Sequence, residues 1–158
     1  MKKWPWFIFG VVVILLDQAS KYWVLQTLIP YEPEAMFPMV NFTLAFNTGA
    51  AFSFLSGTGD WHRWLFTGFS AVMSIVLMVW IIRLPKTAYL QLLALSLILG
   101  GALGNLVDRI FLGHVIDFID VYYTHYHWPA FNLADSAICV GAFLLLIDMW
   151  LEGKKRPA

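Results

Sequence analysis

Charge is scarce in this chain of 158 residues, in which charged side chains make up 13% and apolar ones 60%. An ordinary soluble domain has about a quarter charged and about half apolar residues, so the composition excludes that class. The formal net charge is zero, and we therefore expect no nucleic-acid partner. Cys139 is the single cysteine, which excludes an internal disulfide, and its apolar surroundings in the sequence indicate a small core or lipid-facing residue.

Several catalytic motifs are also missing. The chain has no Gly-x-Ser-x-Gly sequence and no His-Glu-x-x-His zinc motif. Ser20 and Lys21 are adjacent, so they do not share a helix face. The pair His125-x-His127 is a weak metal signal, because no third ligand follows at a suitable spacing. Neither a serine nucleophile nor a metal site is predicted, and we expect no cofactor.

Long apolar runs dominate what is present. Four of them reach the roughly 20 residues that a membrane-spanning helix needs: residues 6–28, 64–82, 88–107 and 133–151. The first continues through Lys21-Tyr22-Trp23 without a small-x-small cleavage site, so we expect a retained span rather than a cleaved signal peptide. The pattern predicts an all-α membrane protein, a bundle of four transmembrane helices that forms a single domain over residues 1–158.

The basic residues indicate how the bundle is oriented. If the spans alternate in direction, seven basic residues fall on one side and three on the other: Lys2, Lys3, Arg83, Lys86, Lys154, Lys155 and Arg156, against Lys21, Arg63 and Arg109. Cytoplasmic loops carry the excess of lysine and arginine. We therefore predict that both termini are cytoplasmic and that residues 30–63 and 111–131 form the external segments.

The first external segment carries a strand signal. Residues 40–47 alternate between apolar and polar side chains, which is typical of a strand, and Asn47-Thr48-Gly49 supplies turn chemistry before a possible return strand at 50–54. We predict a small amphipathic β-sheet on the outer membrane surface. Its phenylalanines serve either as a lipid anchor or as an apolar clamp over a ligand: Phe42, Phe46, Phe52 and Phe54.

Ionisable residues inside the apolar spans are costly, so each is by default a hypothesis for a functional site. Asp17 and Lys21 have the i, i+4 spacing that places both on one helix face, and the pair is either a structural lock or part of a site. On the predicted topology, four segments bring polar side chains to the outer level: Asp17 and Lys21; Asn105, Asp108 and Arg109; Asp117 and Asp120; Asn132 and Asp135.

Carboxylates are the chemically distinctive members of this layer. Asp117 and Asp135 lack an obvious cationic neighbour at helical spacing, unlike Asp17 and Asp108. Two close carboxylates cannot both ionise easily and share a proton. One can then activate water as a base while the other polarises a carbonyl group. On these grounds Asp120 is an equal competitor for either role.

Two other classes of membrane protein fit parts of the pattern. A proton-coupled transporter also has intramembrane carboxylates, but it places them near the midplane and often contains an internal repeat, and no repeat is evident here. A non-catalytic chaperone or assembly factor would tolerate the loss of both Asp117 and Asp135, whereas a peptidase would not.

Five short motifs, in the same order, resemble those of the bacterial lipoprotein signal peptidases (signal peptidase II). They are Asp17-Gln18-Ala19-Ser20-Lys21, Asn47-Thr48-Gly49-Ala50-Ala51-Phe52, Gly100-Gly101-Ala102-Leu103-Gly104-Asn105-Leu106-Val107-Asp108-Arg109, Val115-Ile116-Asp117-Phe118 and Phe131-Asn132-Leu133-Ala134-Asp135-Ser136. The resemblance implies an aspartic endopeptidase of the bacterial inner membrane with its active site near the periplasmic face. Such an enzyme removes the signal peptide of a diacylglyceryl-modified prolipoprotein, cutting before the lipid-bearing cysteine.

The resemblance also implies roles for individual residues. The catalytic pair of the family maps onto Asp117 and Asp135, ahead of Asp120. Further positions match residues that line or support the site: Asp17, Lys21, Asn47, Gly101, Asn105, Arg109 and Asn132. It implies a prolipoprotein substrate, contact with membrane lipid, no metal, and inhibition by globomycin-type cyclic lipopeptides. We expect the protein to be a monomer.

Overall fold

The computed structural model describes residues 3–49 and 61–155, apart from the side chains of His62 and Lys155. Its elements, in chain order, are α1 (Trp4–Thr27), β1 (Glu34–Phe37), β2 (Val40–Asn47), α2 (Trp61–Arg83), α3 (Tyr89–Phe111), β3 (Val115–Tyr123), β4 (Tyr126–His127) and α4 (Leu133–Lys155). All four helices are long and apolar enough to cross a membrane. The predicted class, a four-helix membrane bundle with a small sheet, is confirmed.

Helix α3 lies at the centre of the bundle. It packs against α1, α2 and α4, whereas α2 and α4 barely touch each other within the described residues. Its apolar stretch is 56% buried inside the protein, against 22% for α1, 17% for α2 and 11% for α4. The outer helices instead expose large apolar side chains such as Leu15, Phe69 and Leu146, as expected of faces that contact lipid.

Glycines allow α3 to approach its neighbours closely. A Cβ atom added to Gly100 would lie 2.7 Å from the carbonyl oxygen of Gly10 in α1, and one added to Gly104 would lie 2.7 Å from Asp17 Oδ2. The Gly100-x-x-x-Gly104 spacing, which lets helix backbones approach closely, therefore lies at the contact with α1. About 100° around the helix from Gly100, a Cβ added to Gly101 would collide with the carbonyl oxygen of Ala134 in α4.

The contact at Gly100 gives a first prediction, that Gly100→Ala destabilises the protein by about 1–3 kcal/mol, the usual cost of an overpacked core. The added methyl group meets backbone atoms, which cannot rotate away. Gly68→Ala is the matched control, because nothing lies within 4 Å of a Cβ at this helical glycine. The measurement is thermal unfolding of both variants in one detergent. Equal midpoints would contradict a tight contact between α1 and α3.

The sheet is antiparallel, with strand order β1-β2-β3-β4. Its central pair joins the two segments that were predicted to be external, with Val40 opposite Val121 and Asn47 opposite Val115. The strand predicted at residues 40–47 is present. The return strand predicted at 50–54 lies outside the described residues, and the observed neighbours of β2 are β1 and β3.

Strand β3 was not predicted, and burial explains why. A strand covered on one face alternates between apolar and polar residues, but the four residues Val115, Ile116, Asp117 and Phe118 are all buried. Because both faces of β3 are covered, its sequence does not alternate between apolar and polar residues and resembles a short apolar run. The sequence therefore did not distinguish this strand from a loop.

A hydrophobic cluster attaches the sheet to the end of α1. Val24 and Leu28 of α1 pack with Leu44 of β2 and with Ile116 and Phe118 of β3. Because β3 also carries Asp117, this cluster sets the position of that carboxylate relative to the helices.

Two of the predicted clamp phenylalanines belong to the same cluster. Phe42 lies edge-on to Phe118, with ring centroids 5.6 Å apart, and Phe46 also packs against the cluster. Phe42 and Phe46 therefore form part of the contact between sheet and helix, and their role as a clamp over a ligand stays a prediction. Phe52 and Phe54 lie outside the described residues.

Candidate active site

Polar side chains from five elements meet at the end of the bundle that carries the sheet. The residues brought together are Asp17 and Lys21 of α1, Asn47 of β2, Asn105, Asp108 and Arg109 of α3, Asp117 of β3, and Asn132 and Asp135 at the start of α4. Among the described residues, every buried side-chain nitrogen and oxygen has a hydrogen-bond partner. The cluster is therefore a connected polar network in an otherwise apolar bundle.

Asp117 is held by two asparagine side chains. Its Oδ1 accepts a hydrogen bond from Asn132 Nδ2 at 2.7 Å, and its Oδ2 accepts one from Asn47 Nδ2 at 2.9 Å. Burial raises the pKa of Asp117 from 3.8 to about 7, and the nearby charge of Asp135 acts in the same direction. This carboxyl group is therefore partly protonated at neutral pH.

Asp135 belongs to a reciprocal cap at the N-terminus of α4. Asn132 Oδ1 accepts a hydrogen bond from the Asp135 backbone N–H at 2.9 Å, and Asp135 Oδ2 accepts one from the Asn132 backbone N–H at 3.2 Å. This is the geometry of a capping box, with Asn at the N-cap and Asp three residues later. The helix terminus thus fixes Asp135, while Asn105 Nδ2 donates to its Oδ1 at 2.8 Å.

Asn105 links the carboxylates to the buried lysine. Its Oδ1 accepts from Lys21 Nζ at 2.9 Å and from Asn132 Nδ2 at 3.1 Å. Because both of these partners are donors, the amide nitrogen of Asn105 must point the other way, towards Asp135. Asn105 and Asn132 together connect Asp117 with Asp135.

Asp120 lies outside this network. Residues three apart on a strand point to opposite faces, and Asp120 accepts from Asn41 Nδ2 at 3.2 Å while lying 2.9 Å from His127 Nδ1. The structure therefore separates Asp120 from the Asp117 side of the sheet. Among residues 3–49 and 61–155, no three His, Cys, Asp or Glu side chains are grouped so that they could hold a metal ion.

Lys21 uses all three of its ammonium hydrogens. The Nζ atom lies 2.8 Å from Asp17 Oδ2, 2.8 Å from Asp108 Oδ2 and 2.9 Å from Asn105 Oδ1. The pairing of Asp17 with Lys21 predicted from their spacing is confirmed. Lys21 is also the ion-pair partner of Asp108. Arg109, the next residue in α3, points about 100° away around the helix.

Two members of the network were missed by the sequence analysis. Both residues appeared there, Asp108 in the polar layer and in a family motif and Gln18 in a family motif only, but neither was assigned a role in the site. Gln18 Nε2 donates to Asp108 Oδ1 at 2.8 Å and to the Gly104 carbonyl oxygen at 3.2 Å. A usable signal existed for Asp108, since it lies four residues after Gly104 and hence on the face of α3 that approaches α1.

A cavity of about 580 Å³ opens beside Asp117 and Asp135. Its polar end is completed by Asn47, Asn105 and Arg109, and its walls are mainly apolar, from β3, the segment 128–131 and α4. Among the described residues, the Arg109 guanidinium donates to two main-chain carbonyl groups at long range, 3.4 Å to Asn105 and 3.5 Å to Gly49. A polar end with two carboxylates and long apolar walls suits an extended apolar ligand with one reactive polar group.

Comparison with known protein families gives a match over most of the chain. A family model described as Signal peptidase (SPase) II matches residues 9–151. The chain belongs to the signal peptidase II family. The peptidase is 49% identical to the lipoprotein signal peptidase of Acinetobacter baylyi, over 96% of this chain and 84% of that protein. It is also 49% identical to the lipoprotein signal peptidase of Cellvibrio japonicus, over 96% and 89% of the two chains.

Solved structures agree with this assignment. One bacterial membrane enzyme superposes on the peptidase with a TM-score of 0.87 at 30% identity, covering 97% of this chain and 92% of the other. A second superposes with a TM-score of 0.80 at 32% identity, covering 92% of each chain. The family resemblance inferred from the five motifs is thus confirmed, and the fold is shared with solved membrane enzymes.

Proposed function

We propose that this peptidase removes the signal peptide from diacylglyceryl-modified prolipoproteins, cutting before the lipid-bearing cysteine by means of water activated by Asp117 and Asp135. The observation that carries the proposal is the pair of carboxylates at the polar end of an apolar cavity, linked through asparagine amides. Two relatives that are each 49% identical to this chain are named lipoprotein signal peptidases, which supports a prolipoprotein as the substrate.

The reaction follows from a proton shared by the two carboxyl groups. The ionised member takes a proton from water while the protonated member donates a hydrogen bond to the substrate carbonyl oxygen. The water oxygen then forms a bond with the carbonyl carbon. As the tetrahedral intermediate collapses, the C–N bond breaks, a proton passes to the leaving nitrogen, and the products are a carboxylic acid and an amine. The shared proton belongs to the pair of Asp117 and Asp135 as a unit.

The network keeps both carboxyl groups oriented before substrate binds. Each of their four oxygens already accepts one N–H from the protein. A carboxylate oxygen has two lone pairs, so each retains one for water or substrate. Fixed donors of this kind require no rearrangement during the reaction, which is how preorganised sites lower a barrier.

The location of the site suits a substrate anchored in the membrane. At the opposite end of the bundle, Lys3 Nζ donates to main-chain carbonyl groups of Ile81 and Leu84, so the start of α1 lies beside the turn between α2 and α3. The basic residues concentrate at this end, which the positive-inside rule places in the cytoplasm. We propose that the sheet and the site lie at the periplasmic face of the inner membrane, where the substrate lipid and water are both available.

The direct test is cleavage of a lipidated prolipoprotein by the purified protein in detergent micelles, with the products identified by mass spectrometry. The expected product begins with the diacylglyceryl-modified cysteine. The control is the same prolipoprotein without its lipid, which we expect to be cleaved much more slowly. Equal cleavage of both forms would contradict the substrate assignment, and cleavage at another bond would contradict the proposed position.

The pKa of Asp117 predicts how the rate depends on pH. Because this pKa is raised to about 7, the pair loses its shared proton as the pH rises through that value, and we expect kcat to fall about tenfold per pH unit well above it. The measurement is the pH–rate profile from pH 5 to 9, with substrate binding followed in parallel. A rate that stays constant up to pH 9 would contradict the shared-proton mechanism.

Thermal unfolding over the same pH range is the control for that profile. A raised pKa means that the folded state favours the protonated form of Asp117. Its contribution to stability is therefore complete below 3.8, the ordinary pKa, and is lost as the pH rises through about 7. A fall in rate that occurs while the protein remains folded and binds substrate is then a property of the catalytic pair.

A further inference from the structure

Asp108 holds the residue that precedes one of the two proposed catalytic aspartates. Its Oδ2 accepts a hydrogen bond from the Ile116 backbone N–H at 3.2 Å, and Ile116 comes immediately before Asp117 in β3. The other oxygen, Oδ1, accepts from Gln18 Nε2 at 2.8 Å. Asp108 is 2% exposed, so this main-chain contact is shielded from water.

Asp17 makes the equivalent contact on the other side of the site. Its Oδ1 accepts a hydrogen bond from the Ala134 backbone N–H at 2.9 Å, and Ala134 comes immediately before Asp135 in α4. Asp17 is fully buried. Each proposed catalytic residue is therefore preceded by a residue whose N–H is bound by a buried carboxylate.

Lys21 joins the two carboxylates that make these contacts, because its ammonium lies 2.8 Å from both Asp17 Oδ2 and Asp108 Oδ2. The continuous path runs from β3 through Asp108, Lys21 and Asp17 to α4. Its members come from α1 and α3, helices that pack closely, and so the path spans the bundle without passing through the cavity.

Charge balance alone does not require Asp108. Lys21 is neutralised by Asp17, so the second carboxylate leaves the cluster with one excess negative charge. Burying an uncompensated charge is unfavourable. The contact that Asp108 makes and Asp17 does not is the hydrogen bond from Ile116, which points to a role in holding β3.

We propose that Asp108 is a positioning residue, and that with Lys21 and Asp17 it sets the separation of Asp117 and Asp135. This inference rests on the proposed function of that pair. The contacts act on the main chain directly before each aspartate, so a small shift in the cluster changes the distance between the two carboxyl groups. A misplacement of about 1 Å can lower a rate about 10²-fold.

The test compares Asp108→Ala and Asp108→Asn with wild type in the cleavage of lipidated prolipoprotein. We expect Asp108→Ala to lower kcat about 10²-fold while KM changes less than about threefold, because the cavity walls are intact. We expect Asp108→Asn to lose only about tenfold, since its side-chain oxygen can still accept from the Ile116 N–H. Asp108→Asn also leaves Lys21 paired with Asp17, so the protein should fold.

The pH–rate profile supplies a readout that a general loss of stability would not change. The charges near Asp117 are those of Asp135 from α4, Lys21 from α1 and Arg109 from α3, and Asp108 binds the main chain one residue before it. Removing the negative charge of Asp108 favours ionisation of the pair, so the alkaline fall in rate should move to lower pH in both variants.

Asp120→Asn is the matched control, because it removes a buried carboxylate from the same strand as Asp117 but outside the network. It should retain nearly the wild-type kcat. If Asp108→Ala has the same kcat as the control Asp120→Asn, the proposal is wrong. The proposal would also be overturned if both Asp108 variants lost kcat equally, in proportion to their fall in melting temperature, and showed no shift in the pH–rate profile. If the wild-type protein itself fails to cleave, it is the proposed function that fails.

Discussion

Replacing either Asp117 or Asp135 by asparagine is expected to lower the rate of prolipoprotein cleavage about 10³-fold or more. Asparagine has nearly the same volume as aspartate but can neither accept nor release a proton at neutral pH, and the loss of general acid or base catalysis is worth about 10²- to 10⁴-fold. Because the two groups share one proton, the double variant should be hardly worse than either single one.

The measurement is a single-turnover rate with lipidated prolipoprotein in excess enzyme, with substrate binding measured on the same samples. Binding should persist, since the cavity walls come mainly from apolar residues. Asp120→Asn serves again as the control, because that carboxylate contacts Asn41 and His127 rather than the pair. Variants that bind but do not cleave would exclude a scaffold protein that tolerates the loss of both aspartates.

Substantial turnover by either variant would contradict the assignment. The structure then offers Asp17 as the next carboxylate within the network, while Asp120 stands apart from it. A transporter would show a different result, in which cleavage is absent from the wild-type protein as well. One set of proteins therefore distinguishes the peptidase from the other two classes considered from the sequence, because neither a transporter nor a non-catalytic scaffold cleaves the substrate.

The helices were predictable from the sequence because a membrane imposes a strong and local signal. About 20 apolar residues in a row suffice to predict a span, and the alternation at Val40–Asn47 predicted a strand for the same local reason. Strand β3 lacks such a signal, since burial on both faces makes its sequence uniformly apolar around Asp117.

The partners of the polar residues depend on tertiary packing. Asp108 bonds to Lys21 because the glycine-rich face of α3 lies against α1, a contact between residues far apart in the chain. Likewise, Asn47 reaches Asp117 only through the register of β2 on β3. The cap at Asn132 and Asp135 is an exception, because an Asn-x-x-Asp sequence before an apolar run is a local signal that could have been recognised.

Lys21→Met is expected to destabilise the protein by about 3–5 kcal/mol, the usual cost of removing one partner from a buried ion pair. Methionine fills a similar volume but leaves Asp17 and Asp108 side by side without a cation. Both carboxylates are at most 2% exposed, so water cannot replace the ammonium. We also expect cleavage to be lost, because Asn105 loses the donor that orients its amide towards Asp135.

Thermal unfolding in detergent measures the loss of stability, and Lys86→Met, at an exposed lysine, is the control that should change little. A triple variant separates charge from volume: Lys21→Met combined with Asp17→Asn and Asp108→Asn has no buried charge in the cluster. Neutral replacement of a buried ion cluster is often harmless or stabilising, so the triple variant should recover most of the lost stability. Its activity should remain low, since no donor holds Asn105. A triple variant as unstable as Lys21→Met would show that the lysine side chain contributes through packing rather than through its charge.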